Sequence, residues 1–93
     1  MEVVQLGCGI CGLVCAEHLS RNPKIDRLVL ADSKLDGANW LKDKAQGGRV
    51  VVEKVDGTDR SAVRGLLKGK DIVVASMPWR LNRLVLEEAA DLG

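Results

Sequence analysis

Phenylalanine and tyrosine are absent from the 93 residues, and Trp40 and Trp79 are the only aromatic side chains. Single-stranded nucleic acid is held by stacking its bases on exposed rings, so a nucleic-acid platform of that kind is excluded. The charge agrees: 14 Lys and Arg face 13 Asp and Glu, a net charge of +1, which provides no cationic field for a polyanion or an anionic membrane. No apolar run approaches the roughly 18 residues of a bilayer-spanning helix. Met1 leads directly into strand character without the basic region and apolar segment of a signal peptide, so the expected location is cytoplasmic. Histidine occurs once, at His18, and cysteine three times, at Cys8, Cys11 and Cys15. The sequence offers no fourth cysteine for a tetrahedral zinc site.

With so few aromatics the core must be built from Val, Leu, Ile and Ala, which suits a small parallel sheet rich in β-branched residues. Four short apolar runs read as strands: Val3 to Leu6, Leu28 to Ala31, Val50 to Val52 and Ile72 to Ala75. Helical spacing fills the intervals. Gly12, Cys15, Ala16 and Leu19 form the first stripe, ended by Asn22-Pro23. Ala38, Leu41 and Ala45 form the second, stopped by Gly47-Gly48. Ala62, Val63, Leu66 and Leu67 form the third, with Thr58 or Asp59 as its cap and Gly69 after its end. Leu81, Leu84, Val85, Glu88 and Leu92 mark the fourth, with Asn82 as a candidate cap. Strands alternating with helices imply right-handed crossovers, so the expected fold is a Rossmann-like α/β parallel sheet of order 3-2-1-4, helices on both faces, one domain spanning residues 1–93.

The chain is organised around Gly7-Cys8-Gly9-Ile10-Cys11-Gly12, a Gly-x-Gly-x-x-Gly turn between the first strand and the first helix. A dinucleotide diphosphate needs the sharp turn at Gly7, the missing side chain at Gly9, and the close helix packing that Gly12 permits. The helix adds unpaired N–H groups and the positive end of its dipole. Asp32 follows Gly12 by twenty residues, at the end of the second strand, where a carboxylate accepts hydrogen bonds from both ribose hydroxyls and repels a 2′-phosphate. NAD is therefore the expected cofactor. Ser33 and Lys34 beside it could receive that phosphate, which keeps NADP open. The simpler alternative gives Asp32 the role of capping the next helix. In the order 3-2-1-4 the loops after strands 1 and 4, at 7–12 and 76–79, face each other across the topological switch point.

The segments Val-Val-Gln-Leu-Gly-Cys-Gly-Ile-Cys-Gly (3–12), Leu-Val-Leu-Ala-Asp-Ser (28–33), Val-Asp-Gly-Thr-Asp (55–59) and Leu-Leu-Lys-Gly-Lys-Asp-Ile-Val-Val-Ala-Ser-Met-Pro (66–78) together resemble the N-terminal NAD(P)-binding domain of the saccharopine dehydrogenase family. The resemblance covers nearly the whole chain. It implies an oxidoreductase that exchanges hydride at a carbon–nitrogen bond of an amino-acid-derived substrate. It also implies that Val55 and Asp56 edge the adenine, that Ser76, Met77 and Pro78 line the way to the nicotinamide, and that the catalytic and substrate-binding residues lie beyond Gly93 in a longer enzyme. The chain departs from the family's habit at Cys8 and Cys11, where Ala or Gly is common, and at Trp79, where a second Pro is frequent. A regulatory nucleotide-sensing module of the potassium-transport type is the alternative; it shares the glycine turn and the Asp56-Gly57-Thr58-Asp59 segment but usually lacks the Ser76 to Trp79 turn. An uncovered fourth strand would also invite pairing with a second copy.

Single residues have plainer readings. Cys8 and Cys11 flank a helix start, where thiolates are favoured, yet they interleave with the turn glycines, and Cys15 reads as a small core residue. His18 lies off the buried stripe and is expected in solvent. Asp56 fits an Asx turn as well as an adenine contact. Trp79 either covers the sheet's end or touches the nicotinamide side, and Arg80 with Arg83 reads as a solvated helix face.

Overall fold

A computed structural model of the chain describes residues 1–45 and 48–92, with the backbone alone at Ile10 and Trp79. Its elements alternate: β1 (Glu2–Leu6), α1 (Ile10–Ser20), β2 (Arg27–Asp32), α2 (Asp36–Lys44), β3 (Val50–Lys54), α3 (Arg60–Leu67), β4 (Ile72–Ala75) and α4 (Trp79–Leu92). The four strands form one parallel sheet in the order β3-β2-β1-β4, as the sequence predicts. In the central pair Val4 lies beside Val29 and Leu6 beside Ala31, while Val4 also meets Val73 on the other side.

Period-2 alternation sorts the strand residues between two aliphatic layers. Val3, Leu28, Leu30 and Val50 pack with Ala16 of α1 and with Ala38 and Leu41 of α2. Val4, Leu6, Val29 and Ala31 pack with Val63 and Leu67 of α3 and Val85 of α4. Both faces of the sheet are thus covered, which is why the strands read as continuous apolar runs. Glu88, the polar residue on the fourth stripe, meets Arg60 at 3.0 Å and Arg64 at 2.9 Å. It joins α4 to α3 where an apolar contact would otherwise stand.

Several local expectations change. On α1 Leu13, rather than Cys15, packs against the core, and Cys15 is half-buried. Ala62 is exposed, leaving Val63 and Leu67 to anchor α3. Its cap is Asp59, whose carboxylate accepts from the Ala62 N–H at 3.2 Å. Asn82 does not cap α4, which begins three residues earlier at Trp79. Instead its amide oxygen accepts from the Met77 N–H at 3.0 Å, tying the helix to the loop before it. α2 ends at Lys44 and Gly48 takes a positive φ of 67°; the expected stop at Gly47 lies outside the described residues.

Arg49 holds the opposite end of the domain together. Its guanidinium donates to the carbonyls of Ser20 at 2.9 Å, Ile25 at 3.0 Å and Asn22 at 3.3 Å. The last carbonyls of a helix have no intrahelical donor, and this side chain supplies donors to the end of α1 and the turn after it.

Candidate functional site

The ladder hydrogen bonds continue past the carboxyl ends of the strands and so fix the loops that follow. Gly7 N–H donates to Ala31 O at 2.9 Å, Ser76 N–H to Leu6 O at 2.8 Å, and Val55 N–H to Asp32 O at 3.0 Å. The loops after β1, β2, β3 and β4 therefore meet at one edge. Between them lies a cleft of about 360 Å³. Gly7, Gly9, Asp32, Ser33, Val55, Ser76, Met77 and Pro78 line it. The two loops predicted to face each other do so.

The three glycines of the turn stand in different surroundings. Gly7 has φ +100°, and a Cβ there would lie 2.3 Å from the Ser76 carbonyl oxygen. Gly12 is packed as tightly, since its Cβ would lie 2.4 Å from the Gly7 oxygen and 3.1 Å from Ser76 Oγ. These two let α1, the turn and the β4–α4 loop touch backbone to backbone. Gly9 differs. Its φ of −69° and ψ of −171° suit any residue, and among the described residues a Cβ there would meet nothing within 4 Å. The backbone does not demand glycine at this position, and the described atoms leave the space beside it open.

Gly9 is the N-cap of α1, and no side chain caps that helix. The first intrahelical bond runs from the Leu13 N–H to Gly9 O at 2.7 Å, so the N–H groups of the first turn have no acceptor within the helix. No acidic residue stands in that turn. Such a helix start offers donors and a positive dipole end to an anion.

Asp32 is placed across the turn. Its Oδ2 accepts from the Cys8 N–H at 2.7 Å, and its Oδ1 accepts from the Ser33 N–H at 2.6 Å and the Lys34 N–H at 3.3 Å. It does not cap α2, whose N-cap is Leu35 with no side-chain cap hydrogen bond. The carboxylate belongs to the cleft.

Other expected residues surround this centre without lining it. Cys8 is buried beneath the turn, where burial, with the Asp32 charge adding to it, pushes its thiol up to about 11. A thiol so held stays protonated at neutral pH, the opposite of a redox-active cysteine. Cys11 is exposed, and all three cysteines are free. Lys34 and Asp56 are exposed, as is His18. Asp56 accepts from the Thr58 hydroxyl at 2.7 Å and the Thr58 N–H at 2.9 Å, which hold its carboxyl below the usual range; this is the Asx turn read from the sequence. Arg83 pairs with Glu87 one turn along α4.

Three residues escaped the sequence reading. Gly57 and Leu81 close the cleft behind Met77, and a Cβ on Gly57 would lie 3.3 Å from both Met77 Sδ and Leu81 Cδ1. Gln5 lies under the turn, and its Nε2 donates to Gly7 O and Gly12 O. A polar residue inside a run of strand apolars was its one visible signal.

Two further depressions, of about 360 and 390 Å³, lie at the opposite end of the sheet. The first is walled by Arg49 and by Glu17 paired with Arg21 and Lys44. The second lies beside the start of β4, between Leu67 and Leu92. Both sit at helix carboxyl ends, away from the glycine turn.

A parallel 3-2-1-4 sheet with a glycine turn and an acidic second-strand end at its switch point defines a Rossmann-type nucleotide fold. Residues 3–93 match the model of the saccharopine dehydrogenase NADP binding domain, and the chain belongs to that family. Among solved structures it resembles apo saccharopine dehydrogenase (L-Glu forming) from Saccharomyces cerevisiae, with a TM-score of 0.82 and 24% identity over 98% of this chain. It spans about a fifth of that enzyme's length, 20%. A proposed epimerase from Bacteroides thetaiotaomicron aligns with TM-score 0.73 and 18% identity, over 99% of this chain and 43% of that one. A SAM-dependent methyltransferase from Anabaena variabilis aligns at 0.62 and 11%, over 99% and 39%. Such different chemistries on one framework place function in the site rather than in the fold.

Proposed function

We propose that the chain is the dinucleotide-binding front of an oxidoreductase of the saccharopine dehydrogenase type, which exchanges hydride at a carbon–nitrogen bond of an amino-acid-derived substrate. One observation carries the nucleotide-binding part of this reading, while the carbon–nitrogen chemistry rests on the family match alone: across a single cleft, the uncapped start of α1 over the open space at Gly9 faces the carboxylate of Asp32. Gly7, Cys8, Gly9, Ile10, Cys11 and Gly12 cradle the diphosphate through their backbone. Asp32 accepts from the adenosine ribose, flanked by Ser33 and Lys34. Val55 and Asp56 edge the adenine, and Ser76, Met77 and Pro78 lead toward the nicotinamide.

When bound, the nicotinamide supplies the hydride chemistry. The residues of this chain bind and orient it, and none is given a catalytic role. In this reading the catalytic and substrate-binding residues belong to a longer chain, consistent with the small share of the yeast enzyme that these residues span.

The family model is that of an NADP-binding domain, whereas a carboxylate at the ribose favours NAD. We assign NAD as the preferred nucleotide. Calorimetric titration with NAD, NADP and ADP-ribose tests the assignment. NAD binds more tightly than NADP, ADP-ribose approaches NAD, and Asp32→Ala weakens NAD about tenfold or more, as expected when hydrogen bonds to a charged group are lost. An Asp32→Ala protein with unchanged NAD affinity removes the ribose role, and a wild type that gives no binding to any of the three removes the reading.

A further inference from the structure

Gln5 is the sole buried polar side chain among the described residues. It stands in an inner strand of the sheet, between Leu30 of β2 and Val74 of β4. Both hydrogens of its amide go to the glycine turn, to Gly7 O at 2.9 Å and Gly12 O at 2.6 Å. Only the nitrogen can serve two carbonyl oxygens, so the amide's orientation is set. Its Oε1 is buried without a partner among the described residues. A core that merely needed filling would not retain an amide at that cost.

The geometry of the peptide unit explains what the amide does. The bond joining Gly7 to Cys8 is trans, and in a planar trans peptide the carbonyl and the N–H point in opposite directions. Gln5 holds the carbonyl end from inside the domain. The N–H end then emerges toward the cleft, where Asp32 Oδ2 accepts it at 2.7 Å. One peptide unit is clamped between a buried amide and the cleft carboxylate. The second arm, on Gly12, fastens the first turn of α1 to the same amide.

We infer that Gln5 is a positioning residue of this site, presenting the first-turn N–H groups of α1 and the Asp32 carboxylate together to a nucleotide's diphosphate and ribose. The identity of the ligand rests on the function proposed above; the clamp rests on the hydrogen bonds alone.

The test uses the full chain with Gln5→Leu and Gln5→Glu, followed by amide hydrogen exchange without nucleotide and by calorimetry with ADP-ribose. In Gln5→Leu the hydrogen-bonded amides of Cys8 and Leu13 exchange about tenfold faster or more while those of β2 and β3 keep their protection, and ADP-ribose affinity falls roughly ten- to a hundredfold. Gln5→Glu adds a readout that loss of packing cannot mimic. Its protonated carboxyl keeps one donor, but the ionised form faces two carbonyl oxygens. Its affinity therefore falls as pH rises through the range of a buried carboxyl, beyond any change shared with wild type and Gln5→Leu. Asp32 on β2 and Cys8 in the turn are present in all three proteins, so the difference between profiles isolates position 5.

Protection lost uniformly across the domain, wild-type exchange in Gln5→Leu, or a Gln5→Glu profile parallel to wild type overturns the inference. ADP-ribose affinity retained in Gln5→Leu overturns it while leaving the nucleotide reading in place. A wild type that takes up no ADP-ribose, together with turn-localised exchange in Gln5→Leu, supports the clamp and removes the nucleotide reading.

Discussion

Gly9→Ser separates the stability of the turn from its function, because the two should move in opposite directions. Serine is a better N-cap than glycine by a few tenths of a kcal/mol, and the Gly9 backbone already has the extended conformation a cap adopts. Among the described residues nothing within 4 Å obstructs the new Cβ. The hydroxyl can then accept from the first-turn amides that α1 leaves without a cap. Melting, followed by far-ultraviolet circular dichroism, should rise by about 1–3 °C, as such a gain gives in a domain of this size. Nucleotide affinity should fall, because the side chain enters the space assigned to the diphosphate and competes for its donors. A hydrogen bond to a charged group contributes about 1.5–3 kcal/mol, so losing one weakens ADP-ribose roughly ten- to a hundredfold by calorimetry. Gly9→Ala is the control: it lacks the capping oxygen, so it loses affinity without the gain in melting temperature. A Gly9→Ser protein that binds ADP-ribose as tightly as wild type would refute the assignment of that space to a diphosphate.

Two further outcomes follow from contacts away from the ligand. Arg49→Met removes the donors at the end of α1 and should cost about 1–3 kcal/mol in stability, seen as a lower urea midpoint, with ADP-ribose affinity unchanged because Arg49 lies at the other end of the sheet; a large loss of affinity at full stability would contradict this. For Cys8 the folded thiol titrates near 11 against an ordinary 9.0, so the unfolded chain ionises first and stability is lost as pH rises from about 9 to 11; Cys8→Ala should flatten that limb relative to wild type, and an identical pH profile in the two would show that Cys8 contributes nothing to it.

The framework was legible because each level of the chain points the same way. The four aliphatic runs are short and continuous, as parallel strands covered on both faces must be, and the breaks between them carry glycine, proline and a capping Asp59. The 3-2-1-4 order and the loops that meet at the cleft follow from that alternation and the handedness of its crossovers. What stayed hidden depends on contacts between segments far apart in the chain. Gln5 sits in an otherwise apolar run, and only the three-dimensional turn shows two carbonyls within reach of its amide. Asn82 looks like a cap by type, yet α4 starts earlier and its side chain reaches back to Met77. Leu13 displaces Cys15 from the buried face of α1 because that helix is apolar on several sides, and spacing alone cannot choose among them. The Asp32 to Cys8 bond joins residues 24 apart, so neither the glycine motif nor the second-strand carboxylate announces it.

The central claim is that a nucleotide's diphosphate sits on the amides opening α1, with Asp32 at its sugar. Two-dimensional ¹H–¹⁵N spectra of the labelled chain titrated with ADP-ribose test it residue by residue. The account predicts saturable shifts concentrated at Cys8 to Leu13, Ser33 and Lys34, with Ser20, Arg21 and Arg49 at the far end of the sheet unmoved. A saturating titration that leaves the glycine turn unshifted, or that moves the Arg49 end instead, would contradict it.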